Sequence, residues 1–195
     1  MITSIRIMKI YLLLAHPDKA SLNSVLADAY EKTAIEKGHE VRRQNLGEMQ
    51  FDPILWQGYK TIQALEPDLK TAQENILWCE HWVIFYPIWW GSVPAIFKGF
   101  IDRALHPGFA FKYHATGPFW DKLLKGRSAQ IFTTSDAPWY WILFAYRNSD
   151  INTVKRATLQ FCGISPVSVT RFSVVRLSEE KTRLGWVEKV KGAVV

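Results

Sequence analysis

The sequence predicts an α/β protein built on a doubly wound parallel sheet. Short, nearly continuous apolar runs, typical of strands buried on both faces, alternate along the chain with segments of helical periodicity. Strict alternation of strands and helices produces crossover connections and a parallel sheet with helices on both faces. The chain has 195 residues and no internal repeat or low-complexity linker, so we expect a single domain spanning residues 1–195.

The first half of the chain carries three predicted strands. The first strand, residues 9–14, is almost entirely apolar, and the helix after it has apolar positions three and four apart until Gly38 ends it. Residues 40–44 are less apolar, so we expect them nearer to an edge of the sheet. A second helix covers residues 69–76 and leads into a third strand, residues 82–86.

The second half continues the same alternation. Pro94 opens a third helix, because proline suits the first helical position. Residues 129–134 form the fourth strand, and the clearest helical stripe of the chain follows and ends at Gly163. Residues 167–172 form the fifth strand. The last helix is predicted to begin with Ser178 as N-cap and two acidic residues in its first turn.

Several classes of protein are disfavoured by composition. The longest apolar runs, residues 83–91 and 139–146, are too short to span a bilayer, so no integral membrane segment is expected. Cys79 and Cys162 do not make a disulfide framework or a zinc site, so we expect no metal and a reducing, cytoplasmic location. Residues 1–7 are interpreted as a leader outside the core.

The unusual numbers are nine Trp, eleven Phe and seven Tyr. Aromatic residues clustered in loops indicate a flat aromatic ligand, although composition alone favours a Trp-rich core over such a ligand. The net charge of +6 favours an anionic ligand. No block of Lys and Arg is longer than three residues, so nucleic acid is not expected as a partner.

Ligands of doubly wound sheets bind outside the carboxyl ends of the strands. The first loop at that edge, residues 16–23, joins a strand to a helix N-terminus, where free N–H groups attract anions. Ser21 and Asn23 can donate side-chain hydrogen bonds to a phosphate there, and His16 and Lys19 can add charge-assisted ones. The alternative is that Ser21 is an ordinary N-cap and His16 a polar residue at a strand end.

The second loop, residues 87–94, contains two prolines, two tryptophans and a glycine. Backbone N–H groups of this loop can bond the edge of a planar heterocycle, and Trp89 or Trp90 can flank its face. The alternative is a Trp pair that packs under a neighbouring loop or in a subunit interface.

The third loop follows the fourth strand. The hydroxyl groups of Thr133, Thr134 and Ser135 can bond the carbonyl groups and nitrogens of a ring, and the Tyr140 phenol can stabilise developing negative charge. The alternative is a turn that leads into a hydrophobic helix over residues 139–146, docked on the body or on a partner.

Six short motifs together resemble one known family. They are His16 to Asn23 (His-x4-Ser-Leu-Asn), Phe51-Asp52-Pro53, Pro87 to Gly99, Gly108-Phe109-Ala110-Phe111, Thr133-Thr134 and Phe161-Cys162-Gly163. The chain resembles the flavodoxin-like NAD(P)H:quinone oxidoreductases, the group of quinone reductases, DT-diaphorases and ancillary oxidoreductase subunits of potassium-efflux systems. The resemblance covers nearly the whole chain.

The resemblance implies a five-stranded sheet of order 2-1-3-4-5, a bound flavin, and hydride transfer from NAD(P)H through the flavin to a quinone or similar acceptor. By position, Ser21, Leu22 and Asn23 are implied to hold the flavin phosphate. Residues 87–90 are implied to line its ring, and residues 133–135 to touch its polar edge. A homodimer that completes the site is implied as well.

Two departures from the family shape the expected chemistry. Ser135-Asp136 stands where the animal enzymes have Gly-Gly, so Asp136 is expected to bring negative charge near the flavin or the substrate. Tyr146 stands where those enzymes have a histidine, so Tyr140 and Tyr146 are the candidate catalytic residues, with water as the other proton source. The animal enzymes' long C-terminal extension is missing, which favours FMN over FAD.

Other functions stay open at this point. A flavin-binding regulatory subunit, peripherally associated with a membrane transporter, would show slow turnover. A flavodoxin-type electron carrier would need a Thr/Ser/Gly-rich phosphate loop, which the chain lacks.

Overall fold

The computed structural model describes residues 6–195, so most of the predicted leader lies outside the described residues. Its main sheet contains five parallel strands: β1 (Lys9–Leu14), β2 (Glu40–Asn45), β3 (His81–Pro87), β6 (Ser128–Ser135) and β7 (Val167–Ser173). Their order in space is β2-β1-β3-β6-β7. The order expected for the five main strands is therefore confirmed, as is the edge position of β2.

Helices cover both faces of this sheet. They are α1 (Leu22–Glu36), α2 (Pro67–Trp78), α3 (Ala95–Ala104), α4 (Trp139–Phe144), α5 (Ser149–Ile151) and α6 (Glu180–Lys191). The predicted stripe before Gly163 forms a π-helical segment, Asn152–Gln160, that continues α5. On one face α1 and α6 pack over one apolar cluster, and on the other face α2, α3 and the π-helical segment pack over a second.

The structure adds a hairpin that the sequence did not predict. Strands β4 (Phe111–Tyr113) and β5 (Trp120–Lys122) pair antiparallel, apart from the main sheet. Each has three residues and only one or two large apolar side chains, so neither produces a strand signal by itself. The hairpin is held to the body because the indole N–H of Trp120 donates to the carbonyl oxygen of Phe161 at 2.9 Å.

The start of the last helix was predicted one residue too early. Glu179, with extended backbone, is the N-cap of α6, while the Ser178 hydroxyl donates instead to the carbonyl oxygen of Val175 at 2.6 Å. A short 3-10 turn, Val175–Leu177, uses the serine that the sequence assigned to the helix. At α1 the structure shows Ser21 as the N-cap, the alternative stated for it above, since its Oγ accepts from the Ser24 N–H at 3.3 Å.

The edge strand β2 carries two neighbouring arginines, and each is held by a different helix that covers the sheet. Arg43 pairs with Asp28 at 2.6 Å and with Glu31 at 2.8 Å, both on α1. The guanidinium of Arg42 lies 4.2 Å from the ring centre of Trp78. Among residues 6–195, no helix combines the length and apolar character that a membrane span requires.

His81, at the start of β3, predicts an acid-sensitive fold. Its side chain is 4% exposed, and burial lowers its pKa to about 4. In the unfolded chain the His81 side chain protonates near pH 6.5, whereas in the folded protein it stays neutral down to about pH 4. The stability that the neutral His81 contributes is therefore fully present above pH 6.5 and is lost as the pH falls towards 4. The total loss is about 3 kcal/mol. We expect urea unfolding at pH 7.5, 5.5 and 4.5 to show this loss, and His81→Gln to reduce it.

The matched control is His114→Gln, at an exposed histidine of the β4–β5 hairpin. His114 lowers the pKa of the Asp121 carboxyl that it bonds, so its loss should act only at the acid end of the range. Between pH 7.5 and 5.5 the variant should lose as much stability as the unmodified protein. An unchanged pH dependence in His81→Gln would contradict the assignment.

Candidate functional site

A cleft of about 320 Å³ opens at the carboxyl-terminal edge of the main sheet. All predicted residues of the first two loops except Lys19 line it, together with Thr134, Ser135 and Tyr146 from the third. The structure thus brings most of the predicted site residues together. The cleft lies where the connections after β1, β3 and β6 meet, which is the place that the rule for parallel sheets indicates.

The first wall of the cleft is the start of α1. The first backbone N–H groups of a helix have no partner within it, so those of Leu22 and Asn23 are available to an anion. Asn23 is 2% exposed; its Nδ2 donates to Thr134 Oγ1 at 2.8 Å, while its Oδ1 has no hydrogen-bond partner within residues 6–195. This buried oxygen in the cleft wall is able to accept a hydrogen bond from a bound ligand.

His16 adds a neutral donor to this wall. Its Nδ1 accepts the backbone N–H of Asp18 at 2.9 Å, so the proton of the neutral ring resides on Nε2. Partial burial lowers the pKa of His16 below its usual range, which keeps the ring neutral near pH 7. Its ring meets that of Trp89 edge to face, with centroids 5.5 Å apart.

The loop that carries His16 packs closely against the backbone at Gly47. A Cβ on Gly47 would overlap the carbonyl oxygen of Pro17 and lie 2.7 Å from its carbonyl carbon. Only a glycine leaves room for this approach of two backbones.

The second wall is the loop after β3. Trp89 and Ser92 exchange both backbone hydrogen bonds, at 3.0 and 2.9 Å, around a two-residue turn. Its central residues, Trp90 and Gly91, have φ of 52° and 67°, as a tight turn of the primed type requires. Trp89 is 44% exposed and Trp90 100% exposed, so the turn presents both indoles to solvent at the mouth of the cleft.

The third wall comes from the end of β6 and the segment after it. The carbonyl oxygen of Thr134 accepts the Ile88 N–H at 2.7 Å, which ties the second wall to the third. One Asp136 carboxylate oxygen accepts the Arg176 N–H at 2.8 Å. The charge of Asp136 is therefore partly engaged by the connection after β7, although the residue also lines the cleft.

Two predicted residues of the third loop lie outside the cleft. Side chains alternate along β6, so Thr133 lies on the opposite face from Thr134, fully buried beside Tyr86 and Arg171 in the strand register. Tyr140 lies on α4 with its side chain 51% exposed. Their roles stay predictions.

Four further residues line the cleft: Gly91, Asp136, Ala137 and Val175. Of these, Asp136 was expected near the ligand from the sequence, and none of the other three was named as a site residue. Val175 follows β7, and applying the carboxyl-edge rule to the fifth strand would have found it. Gly91 touches the third wall, because the ring of Tyr146 lies 3.0 Å from the point where its Cβ would be.

The comparisons with known proteins agree with this architecture. The family model described as flavodoxin-like fold matches residues 8–190. The chain is 30% identical over 185 residues to an uncharacterized NAD(P)H oxidoreductase of Haemophilus influenzae, covering 91% of this chain and 89% of that protein. It is 29% identical to NAD(P)H dehydrogenase [quinone] 1 of Cavia porcellus, but there the match spans 78% of this chain and only 63% of the relative.

A solved structure gives the same result. The crystal structure of Smu.1420 from Streptococcus mutans superimposes with a TM-score of 0.82 at 31% identity, covering 95% of this chain and 97% of that one. The matches confirm the resemblance that the motifs indicated. The chain belongs to the family of proteins with the flavodoxin-like fold.

Proposed function

We propose that this protein is an NAD(P)H-dependent flavoprotein oxidoreductase, which binds FMN in the cleft and passes two electrons from NAD(P)H to a quinone-like acceptor. The observation that carries the proposal is the cleft itself, where a helix N-terminus, a neutral histidine donor and an aromatic wall converge. The names of the two oxidoreductase relatives support the same activity.

The first wall fits a phosphate. The N–H groups at the start of α1, the Ser21 hydroxyl and the Nε2–H of His16 are donors on one side of the cleft. The Asp18 carboxylate of the same loop is not part of the cleft surface and accepts the Ala20 N–H, while Asp136 lines the third wall and accepts the backbone N–H of Arg176. The arrangement favours a doubly charged anion over a neutral ligand.

The second and third walls fit a planar ring. Pro87, Ile88 and Trp89 form an apolar surface, and Thr134 and Ser135 add hydroxyl groups opposite it. A bound flavin would supply the ability to accept hydride from NAD(P)H and return it to an acceptor. The chain's own residues exclude water from the ring, orient it and donate hydrogen bonds to its polar edge.

The proposal favours FMN over FAD because the described walls provide one anion site, at α1. FMN carries a single terminal phosphate that this site can hold. FAD would require additional room for an adenosine, which makes FAD the alternative to be tested.

We also propose a homodimer. Large aromatic side chains stand exposed beside the cleft: Trp90 in the second wall, and Trp139, Trp141 and Phe144 on α4. We call these four residues the aromatic surface. Contiguous exposed apolar side chains of this size are typical of subunit interfaces. Light scattering after gel filtration should give twice the chain mass of 22.5 kDa.

The test of the cofactor is a spectrum followed by release. The purified protein should be yellow, should release FMN on denaturation, and should bleach when NADH or NADPH is added without oxygen. Addition of a quinone should restore the colour. Release of FAD would correct the cofactor. A colourless protein that neither FMN nor FAD reconstitutes would overturn the proposed function.

The two candidate catalytic tyrosines can be separated by paired variants. We expect Tyr146→Phe to lower kcat about tenfold with little change in FMN affinity, because its ring lines the cleft and its hydroxyl is worth about one hydrogen bond. Tyr140→Phe should have a smaller effect, since Tyr140 lies outside the cleft of one protomer. Steady-state kinetics and FMN titration of both variants make the comparison.

Unchanged kcat in either variant would remove that tyrosine from the mechanism. A parallel loss of FMN affinity would mean that the hydroxyl binds the cofactor instead.

A further inference from the structure

We propose that Arg171 is a positioning residue, whose guanidinium on β7 holds the segment from Tyr146 to Asp150 against the cleft. The inference rests on the proposed function, because the segment matters for binding only if the cleft holds the flavin. Arg171 does not line the cleft itself. It acts through the residues that it bonds.

The guanidinium of Arg171 bonds two side chains of the segment. Its Nη1 donates to Asn148 Oδ1 at 2.9 Å, and its Nη2 donates to the two carboxylate oxygens of Asp150 at 3.1 and 3.2 Å. Asp150 is fully buried, so its charge depends on this partner. Burial raises the pKa of the Asp150 carboxyl, whereas Arg171 acts in the opposite direction.

The backbone between Tyr146 and Asp150 needs such a partner. Arg147 and Asn148 have φ of 51° and 52°, the left-handed region that residues with a Cβ rarely adopt in succession. Neither is a glycine, and Arg147 is exposed, so its own side chain provides no buried packing there. The conformation persists where surrounding contacts determine it.

The other side of the segment meets the second wall of the cleft. The Ser149 hydroxyl donates to the carbonyl oxygen of Gly91. The Tyr146 ring packs over Gly91, with ring atoms 3.0 to 3.4 Å from the Cβ position. The segment from Tyr146 to Asp150 therefore connects Arg171 on β7 to the loop that carries Trp89 and Trp90.

Arg171→Lys separates the geometry from the charge. Lysine keeps a positive charge beside Asp150, so the buried carboxylate retains a partner. A single ammonium on a flexible stem does not reproduce the planar fork that spans Asn148 and Asp150. The segment should then open more often while the remainder of the fold stays intact.

The first readout needs no flavin. Trypsin cleaves after Arg147, and the Lys variant keeps the same number of trypsin sites. In flavin-free protein we expect cleavage after Arg147 to be about tenfold faster in Arg171→Lys, measured by the masses of the two fragments. The second readout is FMN titration, where we expect the Kd to rise about tenfold.

The matched control is Arg127→Lys. The Arg127 guanidinium also bonds several backbone groups, the carbonyl oxygens of Ile76, Leu77 and Lys125, but at the opposite end of the sheet. It should leave both readouts unchanged. Equal acceleration in the two variants would reveal a global loss of stability and overturn the proposal, as would unchanged cleavage in Arg171→Lys.

Asn148→Ala provides a second variant in case Arg171→Lys does not fold. It removes one arm of the fork and leaves the ion pair with Asp150 in place. Because the substitution alters the residue next to the cleaved bond, the cleavage rate of the folded variant after Arg147 is divided by the rate for the same bond in the urea-unfolded variant. This ratio should be higher in Asn148→Ala than in the unmodified protein. An equal ratio in the two proteins overturns the proposal. If the unmodified protein binds neither flavin, the proposed function fails, while the protease result still decides the role of Arg171.

Discussion

Ser21→Glu should abolish flavin binding, with an increase in the FMN Kd of at least a hundredfold. Ser21 lies at the N-cap of α1, in the wall where the proposed phosphate would meet free N–H groups. A carboxylate there competes for those donors and repels the phosphate by about 4 kcal/mol at a separation near 4 Å. Equilibrium titration of apoprotein with FMN measures the effect.

Two control variants show whether the loss of FMN binding is caused by a negative charge at position 21. One tests the size of the new side chain, and the other tests the change in the net charge of the protein. Ser21→Gln has nearly the same bulk without the charge and should retain most of the affinity. Val25→Glu adds the same charge on the exposed side of α1, outside the cleft, and should bind FMN normally. The loss of the Ser21 cap alone costs about 1 kcal/mol of stability, which circular dichroism would detect separately. Retained FMN in Ser21→Glu would place the phosphate elsewhere.

Gly47→Ala should damage both the fold and the site. The added methyl group would overlap the carbonyl oxygen of Pro17, and no rotamer change can relieve a clash between two backbones. Overpacking of this kind costs about 3 kcal/mol or more. Because Pro17 follows His16, the strain should also displace the first wall and weaken FMN binding. Urea unfolding and FMN titration report the two effects.

Gly185→Ala is the matched control. Gly185 lies inside α6, and nothing is within 4 Å of its Cβ position. Alanine is a better helix former than glycine by about 1 kcal/mol, so this variant should be slightly more stable and bind FMN unchanged. A Gly47→Ala protein as stable as the unmodified one would show that the two backbones can separate at little cost.

The main sheet could be predicted because each of its buried strands is marked by an apolar run within its own few residues. The strand β3 is buried on both faces along all seven residues, and after His81 its sequence is a continuous apolar run. The β4–β5 hairpin could not be predicted in the same way, because its two short strands depend on each other and on the contact of Trp120 with the π-helical segment's end. The apolar stripe of that segment has the three- and four-residue spacing of an α-helix, so nothing in the sequence indicates its π-helical hydrogen bonding.

The site could be predicted to a similar extent. The carboxyl-edge rule selected the three loops that form the cleft, and the motifs within them selected most of its residues. The anchoring of Tyr146 could not be predicted, because Asp150 and Arg171 are 21 positions apart and only the packing of the π-helical segment on β7 brings them together. In the sequence, Asn148, Ser149 and Asp150 resemble an ordinary polar turn.

The two arginines of β2 have a consequence for how the protein behaves at high concentration. An outer strand of a sheet exposes unpaired backbone groups, which can recruit a strand of another molecule and begin aggregation. Arg42 and Arg43 occupy neighbouring positions on that strand and are held on opposite faces by Trp78 and by Asp28 and Glu31. Charged side chains on an edge strand disfavour the addition of a strand from another molecule. The edge formed by β2 is therefore protected against strand addition, whereas the homodimer that we propose would form through the aromatic surface beside the cleft.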